Sequence, residues 1–179
     1  MVETSQNVAF EILVDIERRS SAASSMPRSE QSERFWTGVG FRLNKVQYVA
    51  PLKEVAEILS MPGFTKVPGA RSWVKGLANI RGTLLPIMDL HGFLGRKAIP
   101  SMRSQRILVI NHNGIHSGVM VDEVLGLQHF DDSERREDVN DDEAILPYVK
   151  GAFTRGEEEW KVFSPFALAE SPSFMQVAL

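Results

Sequence analysis

Gly76-Leu-Ala-Asn-Ile-Arg-Gly-Thr-Leu-Leu-Pro-Ile-Met-Asp-Leu90 is the stretch that decides the fold. Ile80, Leu84, Ile87 and Leu90 place apolar mass on both sides of Arg81-Gly82. Glycine accepts the backbone angles of a tight turn or bulge, so the expectation is a two-strand hairpin with one exposed arginine at its tip. Pro86 has no amide hydrogen to donate, and a strand through residues 83–88 is expected to lie at a sheet edge or to bend there. Small, curved sheets follow.

Working outward toward the N-terminus, Ser72-Trp-Val-Lys-Gly76 reads as a turn into this hairpin, and residues 65–69 as a brief extended piece. Pro51 opens a helical candidate over residues 52–59 in which Val55, Ile58 and Leu59 share a face, ended by Met61-Pro62-Gly63. Before it, residues 35–43 and 46–50 read as two strands turning at Asn44-Lys45. Further out, Val8, Phe10, Ile12, Leu13 and Ile16 recur at helical spacing, which predicts an amphipathic helix over residues 5–19 with Ser5 as N-cap. Such a helix either packs on its own domain or docks on a partner. Residues 20–33 are rich in serine and small side chains and read as a linker.

Toward the C-terminus, residues 91–95 close the first half, and 96–104 form a basic loop interrupted by proline. Residues 105–111 and 115–121 flank Asn113-Gly114, the strongest short-range hairpin signal in the chain. Residues 124–130 continue the sheet, and the highly charged 131–143 reads as a solvated loop. A last hairpin pairs 149–154 with 160–163, and Ser164-Pro165 starts a short helix through 169. Phe174 to Leu179 is apolar enough to pack back on the body. The expected organisation is a helix and linker over 1–33, one folded domain over 34–170 and a tail over 171–179.

Composition narrows the function classes. The 179 residues are 43% hydrophobic and 24% charged, which suits one globular domain with a sizeable core. Twenty basic against 23 acidic residues give a net charge of -3, so no overall field draws the chain to nucleic acid. The absence of cysteine excludes disulfides and thiolate chemistry. With no signal-like start and no apolar run of membrane-helix length, the expectation is a soluble cytoplasmic protein without membrane insertion.

No catalytic constellation emerges. His91, His112, His116 and His129 form no HExxH pattern, and Gly114 to Gly118 displaces its serine from the centre of a nucleophile elbow. Asp138, Asn140 and Asp142 alternate like calcium ligands, but Glu143 stands where the loop needs glycine and Val149 where it needs glutamate. Walker and dinucleotide glycine patterns are missing. The expectation is no enzyme, no metal and no cofactor.

Gly76-Leu-x-Asn-Ile-Arg-Gly82 followed by Leu85-Pro-Ile-x-Asp-Leu90 resembles the signature of the CheW family, coupling proteins that join chemoreceptors to a histidine kinase. The resemblance runs from Phe41 to Phe166 and includes Pro51-Leu-Lys-Glu-Val-Ala-Glu-Ile58 and Gly118-Val-Met-Val-Asp-Glu-Val124. It implies a mainly β fold of two five-stranded SH3-like barrel subdomains about a shared core. It also implies a non-enzymatic adaptor between the cytoplasmic tip of a methyl-accepting chemoreceptor and the regulatory domain of a CheA-type kinase, recruited to membrane-associated receptor arrays.

By the same resemblance, Arg81 takes part in receptor coupling, Val55 helps line the receptor groove, and Val121, in the second subdomain, completes it. Glu57, Ile58, Lys75 and Gly76 match kinase-facing positions on the first subdomain. The residues alone allow plainer roles. Arg81 can bond local carbonyls or pair with Asp89; Val55, Ile58 and Val121 can be core; Glu57 and Lys75 can be surface charges; Gly76 can be a turn. The N-terminal helix and linker make the chain similar to the PilI-type branch, which serves twitching motility on type IV pili. Flagellar chemotaxis coupling and a small-effector-binding regulatory module are the alternatives.

Overall fold

A computed structural model describes residues 35–97 and 103–177. The helix expected over 5–19 and the linker over 20–33 lie outside the described residues. Trp36–Leu179 forms one compact unit.

Its strands are β1 (Phe35–Leu43), β2 (Val46–Pro51), β3 (Glu57–Ser60), β4 (Phe64–Thr65), β5 (Val74–Ile80) and β6 (Thr83–Asp89). They continue as β7 (Arg106–His112), β8 (Ile115–Val121), β9 (Glu123–Asp131), β10 (Arg135–Arg136), β11 (Val149–Arg155) and β12 (Glu158–Phe163). Short helices α1 (Leu90–Phe93), α2 (Pro165–Glu170) and α3 (Pro172–Met175) follow β6 and β12. Among the described residues, no helix is long and apolar enough to cross a membrane.

Two six-stranded sheets result, ordered β10-β11-β12-β2-β1-β9 and β3-β7-β8-β6-β5-β4. Each holds five strands of four or more residues and one of two. In both sheets the outermost strands are consecutive in sequence: Asp132–Glu134 links β9 to β10, and residues 61–63 link β3 to β4. A sheet whose two edges are tied by three residues must curl back on itself, which removes most of its open edge.

Strand alternation then creates three apolar clusters. Val49, Phe130, Phe153, Trp160 and Val162 fill the curl of the first sheet. Ala78, Leu85, Ile87, Ile107, Val109 and Met120 fill the second. The intervening positions, among them Phe41, Tyr48, Met88, Leu108, Val119 and Phe163, face a larger core shared by both sheets. Phe174 is 2% exposed and stacks on Trp73, so the start of the expected tail packs into that core.

The two sheets repeat one plan. A β1–β2 hairpin corresponds to β7–β8, and the run β3–β6 corresponds to β9–β12. Details repeat with the topology. The β5–β6 turn is Arg81-Gly82, and Arg155 closes β11 just before the Gly156-Glu157 turn to β12. Asp89 N donates to Trp73 O at 2.7 Å before α1, and Ser164 N donates to Tyr148 O at 2.8 Å before α2. Each sheet combines the hairpin of one repeat with the four-strand run of the other, joined by a parallel pairing of β2 with β12 and of β6 with β8.

Three expectations change accordingly. The sequence reading divides the chain into consecutive halves, yet β7–β8 completes the sheet of β3–β6 and β1–β2 that of β9–β12. Residues 52–59 are not a helix: a 3-10 turn spans Leu52–Glu54, and β3 then pairs with β7. Ile58 packs on the shared core and Leu59 on the smaller cluster, opposite faces as strand alternation demands. Pro86 sits in an interior strand. It is tolerated because β8 pairs only with Ile87, Met88 and Asp89, leaving the position of its missing amide outside that ladder.

Gly76 shows how tightly the second curl is drawn. The β5–β6 register slips between Val74 and Gly76, Gly76 has φ 150°, and a Cβ there would stand 2.2 Å from Thr65 O. Gly82 has φ 86° but open space around it. Gly76→Ala is therefore expected to cost more than about 2 kcal/mol in a denaturant melt, and Gly82→Ala only about 1 kcal/mol. Equal costs, or the reverse order, would contradict the close approach of β4 to β5. Removal of residues 1–33 is expected to leave a single cooperative transition, whereas a gradual, non-cooperative melt would show that those residues belong to the fold.

Candidate functional site

The β5–β6 hairpin presents the candidate site. Arg81 has φ 51° and Gly82 φ 86°, the pair of left-handed residues that a two-residue turn matched to strand twist requires. Asn79 Oδ1 accepts the Gly82 amide at 2.9 Å and locks the turn. The described non-glycine residues with positive φ are Asn44, Arg81 and Asn113. Asparagine tolerates that region and arginine does so at a cost of about 1–2 kcal/mol, so the Arg81 backbone is held by its surroundings.

The Arg81 guanidinium reaches across the curl to β3. Its Nη2 lies 3.0 Å from Glu57 Oε1, with the arginine side chain 66% exposed and the glutamate 26%. An ion pair this open contributes less than about 1 kcal/mol. Asp89, the other expected partner, lies at the far end of β6, buried, where it caps α1 through Gly92 N and stands 3.9 Å from Lys75 Nζ. Leu84, part of the apolar mass flanking Arg81-Gly82, is 63% exposed beside the tip.

Apart from Val55, which follows the 3-10 turn before β3, the remaining site residues occupy one sheet. Glu57, Val109, Gly118, Ile87 and Gly76 are successive cross-strand partners from β3 to β5. Val121 lies on β8 of this same sheet, not in a second subdomain. Val55 and Val121 are 6% and 1% exposed and belong to the shared core, and Ile58 packs against it half-buried. Lys75 is partly exposed, while Gly76 is buried against the Thr65 carbonyl. The structure therefore brings together the tip arginine, matched to receptor coupling, and Glu57, matched to the kinase face. The family resemblance matched them to different partners.

The equivalent tip in the other sheet is built differently. Arg155 stacks over the Phe130 ring at 4.4 Å, donates to Gln128 Oε1 at 3.3 Å and bonds the His129 carbonyl, so its head is occupied by β9. Both arginines tie their hairpin to the strand that opens the same four-strand run. Arg155 does so half-buried, Arg81 through an exposed pair. An arginine directly before the glycine of a predicted hairpin turn was the available signal for Arg155, and the sequence reading missed it.

Other polar clusters hold the fold. Tyr48 donates to Asp141 Oδ2 at 2.8 Å, and Lys161 Nζ lies 3.2 Å from the same oxygen, with both charged side chains nearly buried. Burial, and then the bond to Asp141, push the Tyr48 pKa well above the ordinary tyrosine value. His91 Nε2 lies 2.9 Å from Asp122 Oδ1, and Asp122 Oδ2 accepts the Asn44 amide at 2.6 Å. Glu54 accepts from Ser164 Oγ at 2.7 Å and from Phe166 N at 3.1 Å. Among the described residues no group of three or more potential ligands is placed to hold a metal ion.

The CheW-like domain family matches residues 37–172. Protein PilI of Pseudomonas aeruginosa is 45% identical over 172 residues, covering 95% of this chain and 96% of its own. The chemotaxis protein CheW of Helicobacter pylori is 31% identical over 110 residues, covering 62% of this chain and 67% of its own. Among solved structures, the scaffolding protein TtCheW of Thermoanaerobacter tengcongensis superposes with a TM-score of 0.68 over 77% of this chain and 94% of its own, at 21% identity. That likeness bears on the fold, and the curled sheets agree with it. With the family match spanning both curled sheets and the shared core between them, the chain belongs to the CheW-like family of scaffold adaptors.

Proposed function

We propose that this adaptor couples the cytoplasmic tip of a methyl-accepting chemoreceptor to the regulatory domain of a CheA-type histidine kinase, in the control of type IV pilus twitching motility. The observation that carries this reading is the exposed Arg81 on its strained turn, beside an exposed Leu84, whereas Arg155, at the end of β11 in the other sheet, is used up within its own sheet. A desolvated arginine is a strong donor to a carboxylate or to helix-end carbonyls, and the neighbouring leucine adds apolar contact. Val55 and Val121, being buried, support the receptor surface from beneath. Glu57, Ile58, Lys75 and Gly76 form the band offered to the kinase. The two surfaces adjoin at the Arg81–Glu57 pair, so both partners are held by one sheet.

The pilus assignment rests on extent. A match covering 95% of the chain must include most of residues 1–33, which lie outside the CheW-like domain. The H. pylori CheW match covers 62%. Flagellar chemotaxis coupling is the competing reading, supported by the several relatives named chemotaxis protein CheW. In either pathway the adaptor works in the cytoplasm at membrane-associated receptor arrays, and differential affinity for receptor states biases the kinase.

Titrations of Arg81→Asp against a receptor cytoplasmic fragment and against the kinase regulatory domain test this. Receptor affinity is expected to fall about 30-fold, the equivalent of about 2 kcal/mol. Stability should change by less than about 1 kcal/mol, as expected for an exposed pair. Glu57→Gln removes the ion pair and keeps Arg81, and its receptor affinity is expected to stay within about threefold of the parent. Unchanged receptor binding by Arg81→Asp contradicts the proposal; a collapsed melt assigns the arginine to the fold instead.

A further inference from the structure

The β7–β8 turn carries a reactive amide that coupling does not use. Asn113-Gly114 is the chain's single Asn-Gly pair. Both residues are exposed, at φ 49° and 79°, and no atom lies within 4 Å of a Cβ built on Gly114. Asn113 Nδ2 lies 3.3 Å from Glu170 Oε1 and 3.0 Å from His112 Nε2, and His112 itself lies 2.7 Å from Glu170. The His112 ring stacks on Phe166 with centroids 3.8 Å apart. The amide is thus one of the contacts fastening the β7–β8 tip to α2.

We propose that Asn113 is a site of spontaneous deamidation whose product unfastens this tip from α2. The Gly114 amide nitrogen attacks Asn113 Cγ. The new N–C bond closes a five-membered imide while the Cγ–Nδ2 bond breaks, and the nitrogen leaves as ammonia with the proton lost from the Gly114 amide. Water then opens the imide at either carbonyl, giving aspartate or isoaspartate, so the net change is one water consumed and one ammonia released. Glycine favours the first step because no side chain crowds the attacking nitrogen, and the exposed turn admits water to the second. The product replaces a donor to Glu170 with a carboxylate facing Glu170 Oε1, which turns attraction into like-charge repulsion. Isoaspartate also adds a backbone methylene within the two-residue turn, where register depends on turn length.

The equivalent β1–β2 turn provides an internal comparison. It is Asn44-Lys45, where a lysine side chain crowds the attacking nitrogen. The test is incubation of the native full chain at mildly alkaline pH, followed by peptide mapping and isoaspartate detection. Asn113 is expected to convert to a mixture of aspartate and isoaspartate while Asn44 keeps its amide. An Asn113 that stays intact while the urea-denatured chain converts would overturn the proposal, because the fold would then be protecting it. For the consequence, Asn113→Asp is expected to melt below the parent, and Glu170→Gln placed in the same chain is expected to restore most of that loss. Equal melting of Asn113→Asp and parent would overturn the unfastening.

Discussion

Two short parallel pairings carry the architecture. Lys161 and Val162 of β12 lie against Tyr48 and Val49 of β2, and Ile87, Met88 and Asp89 of β6 against Gly118, Val119 and Met120 of β8. Parallel neighbours cannot be joined by a tight turn, so the chain must leave and return. Here it does so by exchanging hairpins between two like runs of four strands. The first sheet is consequently incomplete without residues from both ends of the described chain, and the second takes β3–β8 from between them. The shared core of Phe41, Tyr48, Leu108, Val119 and Phe163 forms only when both exchanges are made. At about 1.5–3 kcal/mol per buried large side chain, that core is the main reason the two curled sheets behave as one unit.

Local chemistry made much of this legible. Asn113-Gly114 and Arg81-Gly82 announced their hairpins because left-handed backbone is a local demand that few residues meet. The Ser164-Pro165 helix start was readable for a similar reason, since the serine hydroxyl accepts the Ala167 amide at 3.1 Å. What could not be read was pairing between distant strands. Residues 52–59 were open to a helical reading because Val55, Ile58 and Leu59 fit the helical period, and only the pairing with β7 settles the choice. Pro86 misled for the same reason: its missing amide matters only where a neighbour would have accepted from it.

The candidate site was legible as a list of residues and not as a place. The motif singled out Arg81, and the structure adds its partner, Glu57, from across the curl. Val55 and Val121, expected to line a groove, are core. Comparison of the two like tips gives the sharpest view of Arg81. One arginine is stacked and bonded within its sheet, whereas the other is left outward on a backbone that disfavors it. The first closes the curl; the second pairs with Glu57 while its side chain stays 66% exposed.

An adaptor must hold two partners simultaneously, and the adjoining surfaces proposed on one sheet make that a demanding requirement. Co-sedimentation of the full chain with vesicle-bound receptor cytoplasmic fragment and CheA-type kinase measures it directly. The account predicts that kinase pellets with the receptor only when the chain is present, with all three in the pellet. Kinase and receptor that displace one another from the chain, so that no ternary pellet forms at any ratio, would contradict it.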